Sequence, residues 1–427
     1  MKFSFTSYLL KITILAVVYC GVARLGHLFS LDVGRGTLAW LPAGIALAAL
    51  YLYGYRLWPG VVVGAFIATV WTGAPLASAL VVAASSTLGA LVGVYLLRRV
   101  NFDPGLAHVR DVTALVFLGA GFSSLLSTTL DIIGLSLTGL VPWPAYFSNW
   151  WVWWLGDVMG VLIIAPVLFT WTGSPNFIDS GSATQRLEAG LVMLTGMAVG
   201  LVVFGNWPAP NRLSQLFIYL PFPILLWAGL RFGPPGAAIM NLVVNVMAVL
   251  GTVRGFSPFA TTGLDENLFS LWMFMGTASV TALVTAAVTA ERGQAGAALR
   301  QAQKELRESQ AQLAGIIASA MDAMVTINET QHIVLFNTAA EQMFGYSAAD
   351  IIGQPHDRLL PEQLQAIHRQ HVERFGQTGI TNRQLGHLGP LTAVRADGQK
   401  FLVEASISQV EVAGQKLYTA ILRDVTE

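Results

Sequence analysis

The sequence predicts a polytopic α-helical membrane bundle of eight to ten spans, joined by a helical linker to a smaller α+β domain. Three observations predict it. Of 427 residues, 54% are hydrophobic and only 11% are charged, whereas a soluble chain carries about a quarter charged residues. Apolar runs recur from Ser7 to about Ala290, and a bilayer-spanning helix needs roughly 20 such residues. From Glu291 onward charges become frequent, and the apolar pattern shortens to brief alternating runs.

Candidate spans lie near residues 7–29, 37–54, 57–73, 75–97, 111–137, 147–171, 187–205, 213–231, 234–253 and 267–290. The pairs at 37–73 and 213–253 are short and interrupted by Pro and Gly, so either is open to a re-entrant or tilted reading, with eight spans as the lower count. The N-terminal run has no small-residue cleavage site and is read as a retained first helix. With the N-terminus inside, Lys2, Arg56, Arg98, Arg99, Arg110, Arg186, Arg231 and Arg292 fall in inner loops, and Arg35, Arg212 and Arg254 in outer ones. The positive-inside bias therefore predicts an even number of spans with both termini in the cytoplasm. Net charge is zero, which gives no basic footprint for nucleic acid. Cys20 is the single cysteine, so neither an intrachain disulfide nor a thiolate metal cluster is available.

Residues 1–290 thus form the bundle, 291–313 a linker helix and 314–427 the second domain. In the linker, Leu299, Leu306 and Leu313 recur at seven, with Ala302, Ser309 and Ile316 three residues after each. That spacing suits a two-helix coil between protomers of a homodimer, or a solvated continuation of the last span. Beyond it, "DAMVTIN" and "HIVLFN" read as a hairpin. Asn337 and Ser347 stand at helix N-caps, "PEQLQAIHRQHVERF" reads as a further helix, and three strands close the chain.

Ionisable residues at membrane depth usually face the bundle interior. Asp157 lies in "SNWWVWWLGDVMGVLIIAPVLFTW", on one helical face with Trp150, Trp153 and Trp154, roughly 15 Å into its span. Gly156 and Gly160 allow a neighbouring helix to approach closely. Asp131 is the second such acid, and Asn241 and Asn245 share one face of the ninth span. Asp157, Asp131, Asn241, Asn245 and Trp154 either tie helices together or line a cavity for a small ligand. Asp157 is expected to point into the bundle, either protonated or paired with a polar group such as Asn241, Asn245 or Arg24. No spacing matches a metal site, and no nucleophile is paired with a base.

"MVTINETQHIVLFNTAAEQMFGYSAADIIGQP", "VRADGQKFLVEASIS" and the closing "ILRDVTE" resemble a PAS domain of the S-box type. The resemblance implies a five-stranded antiparallel sheet with helices on one face, used for ligand sensing, cofactor binding or dimerisation. "AWLPAGIALAALYLYGYRLWPGVVVGAFIA", "WWLGDVMGVLIIAPVLF", "PFPILLWAGLRFGPPGAA" and "GTVRGFSPF" resemble the MASE1 integral-membrane sensor domain. In that family a kinase or cyclic-di-GMP output domain follows, as in two-component phosphorelays. No kinase phosphoacceptor box, GGDEF-type or EAL-type motif is present here, so the chain is expected not to be an enzyme, and output would need a further domain or a partner. The stretch around His368 resembles the haem-binding helix of rhizobial oxygen-sensor PAS domains, with Arg374 six residues on; the family's distal arginine would fall near His387 and is not reproduced. The resemblance implies haem at His368; the alternative is a solvated helix face. The leading expectation is an inner-membrane sensory protein. A transporter with a PAS regulatory domain is the other.

Overall fold

A computed structural model describes residues 5–28, 37–173, 183–205, 217–259, 264–377, 382–384, 391–412 and 414–426. The chain divides into two units, Met1–Gly296 and Ala297–Glu427. Helices of the first unit are α1 (Phe5–Leu28), α2 (Leu41–Tyr53), α3 (Trp58–Trp71), α4 (Leu76–Arg99), α5 (Val109–Ala114), α6 (Ser123–Leu137), α7 (Tyr146–Gly173), α8 (Ala183–Phe204) and α9 (Pro221–Val253). A π-helical segment, Leu115–Phe122, joins α5 to α6. The last helix, α10, runs Leu264–Ser319 over 56 residues.

Each of the ten expected spans coincides with helix. Among the described residues, seven helices are long and apolar enough to cross a bilayer. The difference has two causes. Helices α2 and α3 have 13 and 14 residues, about 20 Å each at 1.5 Å per residue, short of the roughly 30 Å hydrocarbon layer. The expected spans at 213–231 and 234–253 are fused through a bend at Gly233, where φ is 64° and ψ −157°. Only glycine enters that backbone region freely, and Pro234 and Pro235 behind it interrupt helical hydrogen bonding.

In the bundle, α1 packs on α3, α3 on α4, α4 on α6, α2 on α7, and α9 on both α8 and α7. The buried hydrophobic side chains form two main clusters, one around Tyr19, Leu47, Leu97 and Phe169, the other around Leu225, Met240, Leu271 and Trp272.

The second unit holds β1 (Ala323–Ile327), β2 (Ile333–Phe336), α11 (Thr338–Phe344), α12 (Ala348–Ile351), α13 (Glu362–Gln377), β3 (Asn382–Gln384), β4 (Leu391–Val394), β5 (Lys400–Val412) and β6 (Gln415–Asp424). All pairings are antiparallel, in the order β2-β1-β6-β5-β3, with β4 also on β5. Strand β3, absent from the expected set, meets β5 at Ser406–Ser408, while β4 meets it at Lys400–Val403. Both lie along one edge of β5, so the sheet is five strands wide. Ser347 caps α12 as expected. Asn337 caps α11 by accepting from Ala340 N at 2.9 Å. Its amide also donates to Ile317 O at 3.2 Å and Asp322 O at 3.1 Å, which fastens the end of α10 to the sheet.

Candidate functional site

In the first unit, Asp157 and Asp131 meet a stripe of hydroxyls. Helix α6 carries Ser124, Ser127, Thr128 and Asp131 at i, i+3, i+4 and i+7, one face of a helix. Ser127 Oγ donates to Asp157 Oδ2 at 3.1 Å, and Thr128 Oγ1 lies at 3.4 Å from the same oxygen. Ser85 of α4 donates to buried Asp131. Buried Tyr19 of α1 lies near Ser86 and the Trp40 side chain, within electrostatic range of both carboxylates. Asp157 is therefore held by hydroxyls, not by the expected Asn241, Asn245 or Arg24; the Arg24 guanidinium sits 5.6 Å from the Trp71 ring centroid. Hydroxyls satisfy a carboxylate's lone pairs but bring no countercharge, so the pair can hold a proton or receive a cationic group.

The tryptophans fix α7 beside this stripe. Trp150 and Trp154 stack with centroids 5.7 Å apart. Trp150 Nε1 donates to Thr129 Oγ1 at 3.0 Å, and Trp154 Nε1 to Gly121 O at 3.1 Å. Gly121 belongs to the π-helical segment, where altered backbone bonding leaves carbonyls for such donors. Trp154 also lines a groove of about 580 Å³ with Met159, Trp272, Met273 and Gly276.

The glycine pair on α7 receives non-helical backbone, where a helix was expected. Trp40 N donates to Gly156 O at 2.8 Å. A Cβ on Gly156 would lie 2.6 Å from Thr37 O, and one on Gly160 would overlap the Trp40 carbonyl. Irregular backbone at membrane depth is tolerated where protein buries it. The same segment accepts from α10, since Trp272 Nε1 donates to Leu38 O at 2.8 Å.

Asn241 and Asn245 are fully buried in separate contacts. Asn241 Nδ2 donates to Leu162 O at 3.3 Å; Asn245 Nδ2 donates to Asn241 Oδ1 at 2.7 Å and lies 3.5 Å from Ser279 Oγ on α10. They tie α9 to α7 and α10.

In the second unit, His368 shares a face of α13 with Val372 and Phe375, which pack on the core. Its Nδ1 lies 2.9 Å from Nε2 of buried His356, whose Nδ1 is 3.1 Å from Gln331 O. Burial, with His356 and His371 alongside, pushes His368 down to about 4 against a pull from Asp357. Burial also lowers His356, opposed by the Gln331 carbonyl and Asp357. Arg374 is exposed, and His387 lies outside the described residues.

The MASE1 family model matches residues 10–292. The chain belongs to the MASE1 family. A PAS-domain model matches residues 321–427, after the MASE1 region. Sensor protein FixL of Bradyrhizobium diazoefficiens is 33% identical over 128 residues, covering 30% of this chain and 25% of that protein. Oxygen sensor protein DosP of Escherichia coli is 32% identical over 106 residues, covering 25% and 13%. The PAS domain of an HTR-like protein from Haloarcula marismortui is similar at 17% identity and TM-score 0.26, over 30% of this chain and 99% of that one. The chain spans a quarter or less of the length of these two curated relatives. It is a multi-pass membrane protein with a sensory MASE1 domain and a PAS domain.

Sequence reasoning singled out both MASE1 carboxylates but missed their partners. The α6 stripe was legible, because its spacing is the one that aligned Trp150, Trp154 and Asp157. The Thr37–Trp40 segment and His356 were not, since the first is non-helical and the second lies in a single short 3-10 turn.

Proposed function

We propose that the chain is the sensory input part of an inner-membrane signalling protein, with both ends cytoplasmic. A small ligand, or a proton, that changes the charge balance around Asp157 and Asp131 is the signal. Helix α10 passes it on, as a homodimeric coil, to an output domain or partner that carries any catalysis. One observation carries this reading. Within the first unit α10 is bonded through Trp272 to the segment seated on the Asp157 helix. Its distal part exposes Leu299, Leu306 and Leu313 at 61%, 60% and 58%. Three leucines in heptad register, each more than half exposed, make a seam that a second copy of the helix would cover. Disulfide trapping checks the dimer. In a Cys20→Ser background in native membranes, Leu306→Cys is expected to cross-link between protomers, and Lys304→Cys, off the seam, far less. Equal trapping at both positions would remove the coil.

A second reading, gas sensing through haem at His368, is favoured by the hydrogen bonding of that imidazole and by the likeness to sensor proteins. The neutral ring has Nδ1 engaged by His356 at 2.9 Å, so Nε2 is the nitrogen that would hold the iron. Haem bound there would supply the gas-binding centre; the chain's own part is to hold the imidazole neutral and oriented.

A further inference from the structure

The two imidazoles form a directional chain. Gln331 O is a carbonyl and can only accept, so the His356 Nδ1 at 3.1 Å carries the proton. In neutral His356 the other nitrogen, Nε2, is then an acceptor. The His368 Nδ1 at 2.9 Å must therefore be the donor. One proton per neutral ring leaves His368 Nε2 as a lone pair. The direction of both bonds follows from one backbone carbonyl, which cannot reverse. The His356 backbone N also donates to that carbonyl at 3.1 Å, and the ring is buried, so its orientation is fixed at both ends.

We infer that His356 is a positioning residue that locks His368 in the Nδ1-protonated tautomer and presents its Nε2 as a bare nitrogen donor. The group this nitrogen takes is a metal centre or a hydrogen-bond donor; an acceptor ligand is refused. A ligating histidine is commonly oriented by a partner on its other ring nitrogen, and removing that partner costs about 10–100-fold in metal affinity. Only the identity of the bound group rests on the haem reading; the tautomer does not.

The test uses the full chain in lipid nanodiscs at pH 8, with histidines labelled in nitrogen-15 and the His368 signals identified by their loss in His368→Gln. The expected wild-type result is an unprotonated Nε2 and a protonated Nδ1 on His368. His356→Leu is expected to give mixed tautomers, and His356→Gln, whose amide oxygen can accept, to restore one. A wild-type His368 protonated on Nε2, or a tautomer unchanged in His356→Leu, would overturn the inference, and the wild-type spectrum decides even if a variant fails to fold. Hemin added to the same samples separates the two readings. Binding lost in His368→Gln and weakened about 10–100-fold in His356→Leu supports both. A fixed tautomer without hemin binding keeps the His356 role and removes the haem reading.

Discussion

Gly160→Ala is expected to be among the most damaging single-methyl changes in the bundle. The added carbon would overlap the Trp40 carbonyl, a backbone atom of the residue whose own N–H is bonded to Gly156 O, so no flexible side chain can yield. Overpacking of this kind costs about 1–3 kcal/mol and occasionally more. Here the displaced segment also loses the Trp272 bond to Leu38 O, so the upper end of that range is expected. Gly190→Ala on α8 is the control. A Cβ there meets nothing within 4 Å, and alanine is the better helix former by about 1 kcal/mol. Thermal unfolding in nanodiscs should show a marked drop for Gly160→Ala and none for Gly190→Ala. Equal midpoints would mean that the segment does not hold the bundle.

The PAS domain should lose stability as pH falls from about 6.5 to about 4. The sign follows from His368, which is held at about 4 in the fold against an ordinary value of 6.5. Above 6.5 neither folded nor unfolded chain is protonated there, and the full stability is present. Below 6.5 the unfolded chain binds a proton that the folded chain refuses, so stability declines until the folded pKa is reached and then levels. The gap is worth at most about 3.4 kcal/mol before solvent screening reduces it, because each pKa unit is about 1.36 kcal/mol. His356, also pushed down, acts in the same direction. Asp357 opposes both, while His371 lowers His368, and Arg369 and His332 lower His356. Amide exchange of the PAS strands at pH 7, 5.5 and 4.5 checks this. His368→Gln should flatten the profile across that window; an unchanged profile would exclude His368 as its source.

Much of this was legible in the sequence, and the reasons differ by element. Helical spans betray themselves by apolar length alone, so α4, α6 and α7 stand where their hydropathy put them. The PAS strands alternate with a buried face, and Asn337 signals its cap by residue type. Asp157 was legible as an anomaly, an acid in oil, and the hydroxyl stripe of α6 had a readable spacing, but that the two meet was not legible. Reading partners requires knowing which faces of α4, α6 and α7 touch, and apolar length does not give a helix's rotation about its axis. Asn241 and Asn245 looked equally polar, yet the fold spends them on one another and on the Leu162 carbonyl. The Thr37–Trp40 segment escaped notice because non-helical backbone has no periodic signature. Its receptor, Gly156 and Gly160, did have one, and was read as a seat for a helix.

The central claim, that α10 carries a change at Asp157 to the PAS domain, is most directly tested by amide hydrogen exchange over residues 323–424 in nanodiscs. Asp157→Asn, which removes the charge and keeps the shape, is expected to change exchange at the end of α10 and around Asn337. Adding Leu306→Pro should abolish that difference while both domains stay folded, since proline costs a helix interior about 3 kcal/mol and breaks its continuity. A PAS domain that is indifferent to Asp157→Asn, or that responds equally with proline at 306, would contradict the account.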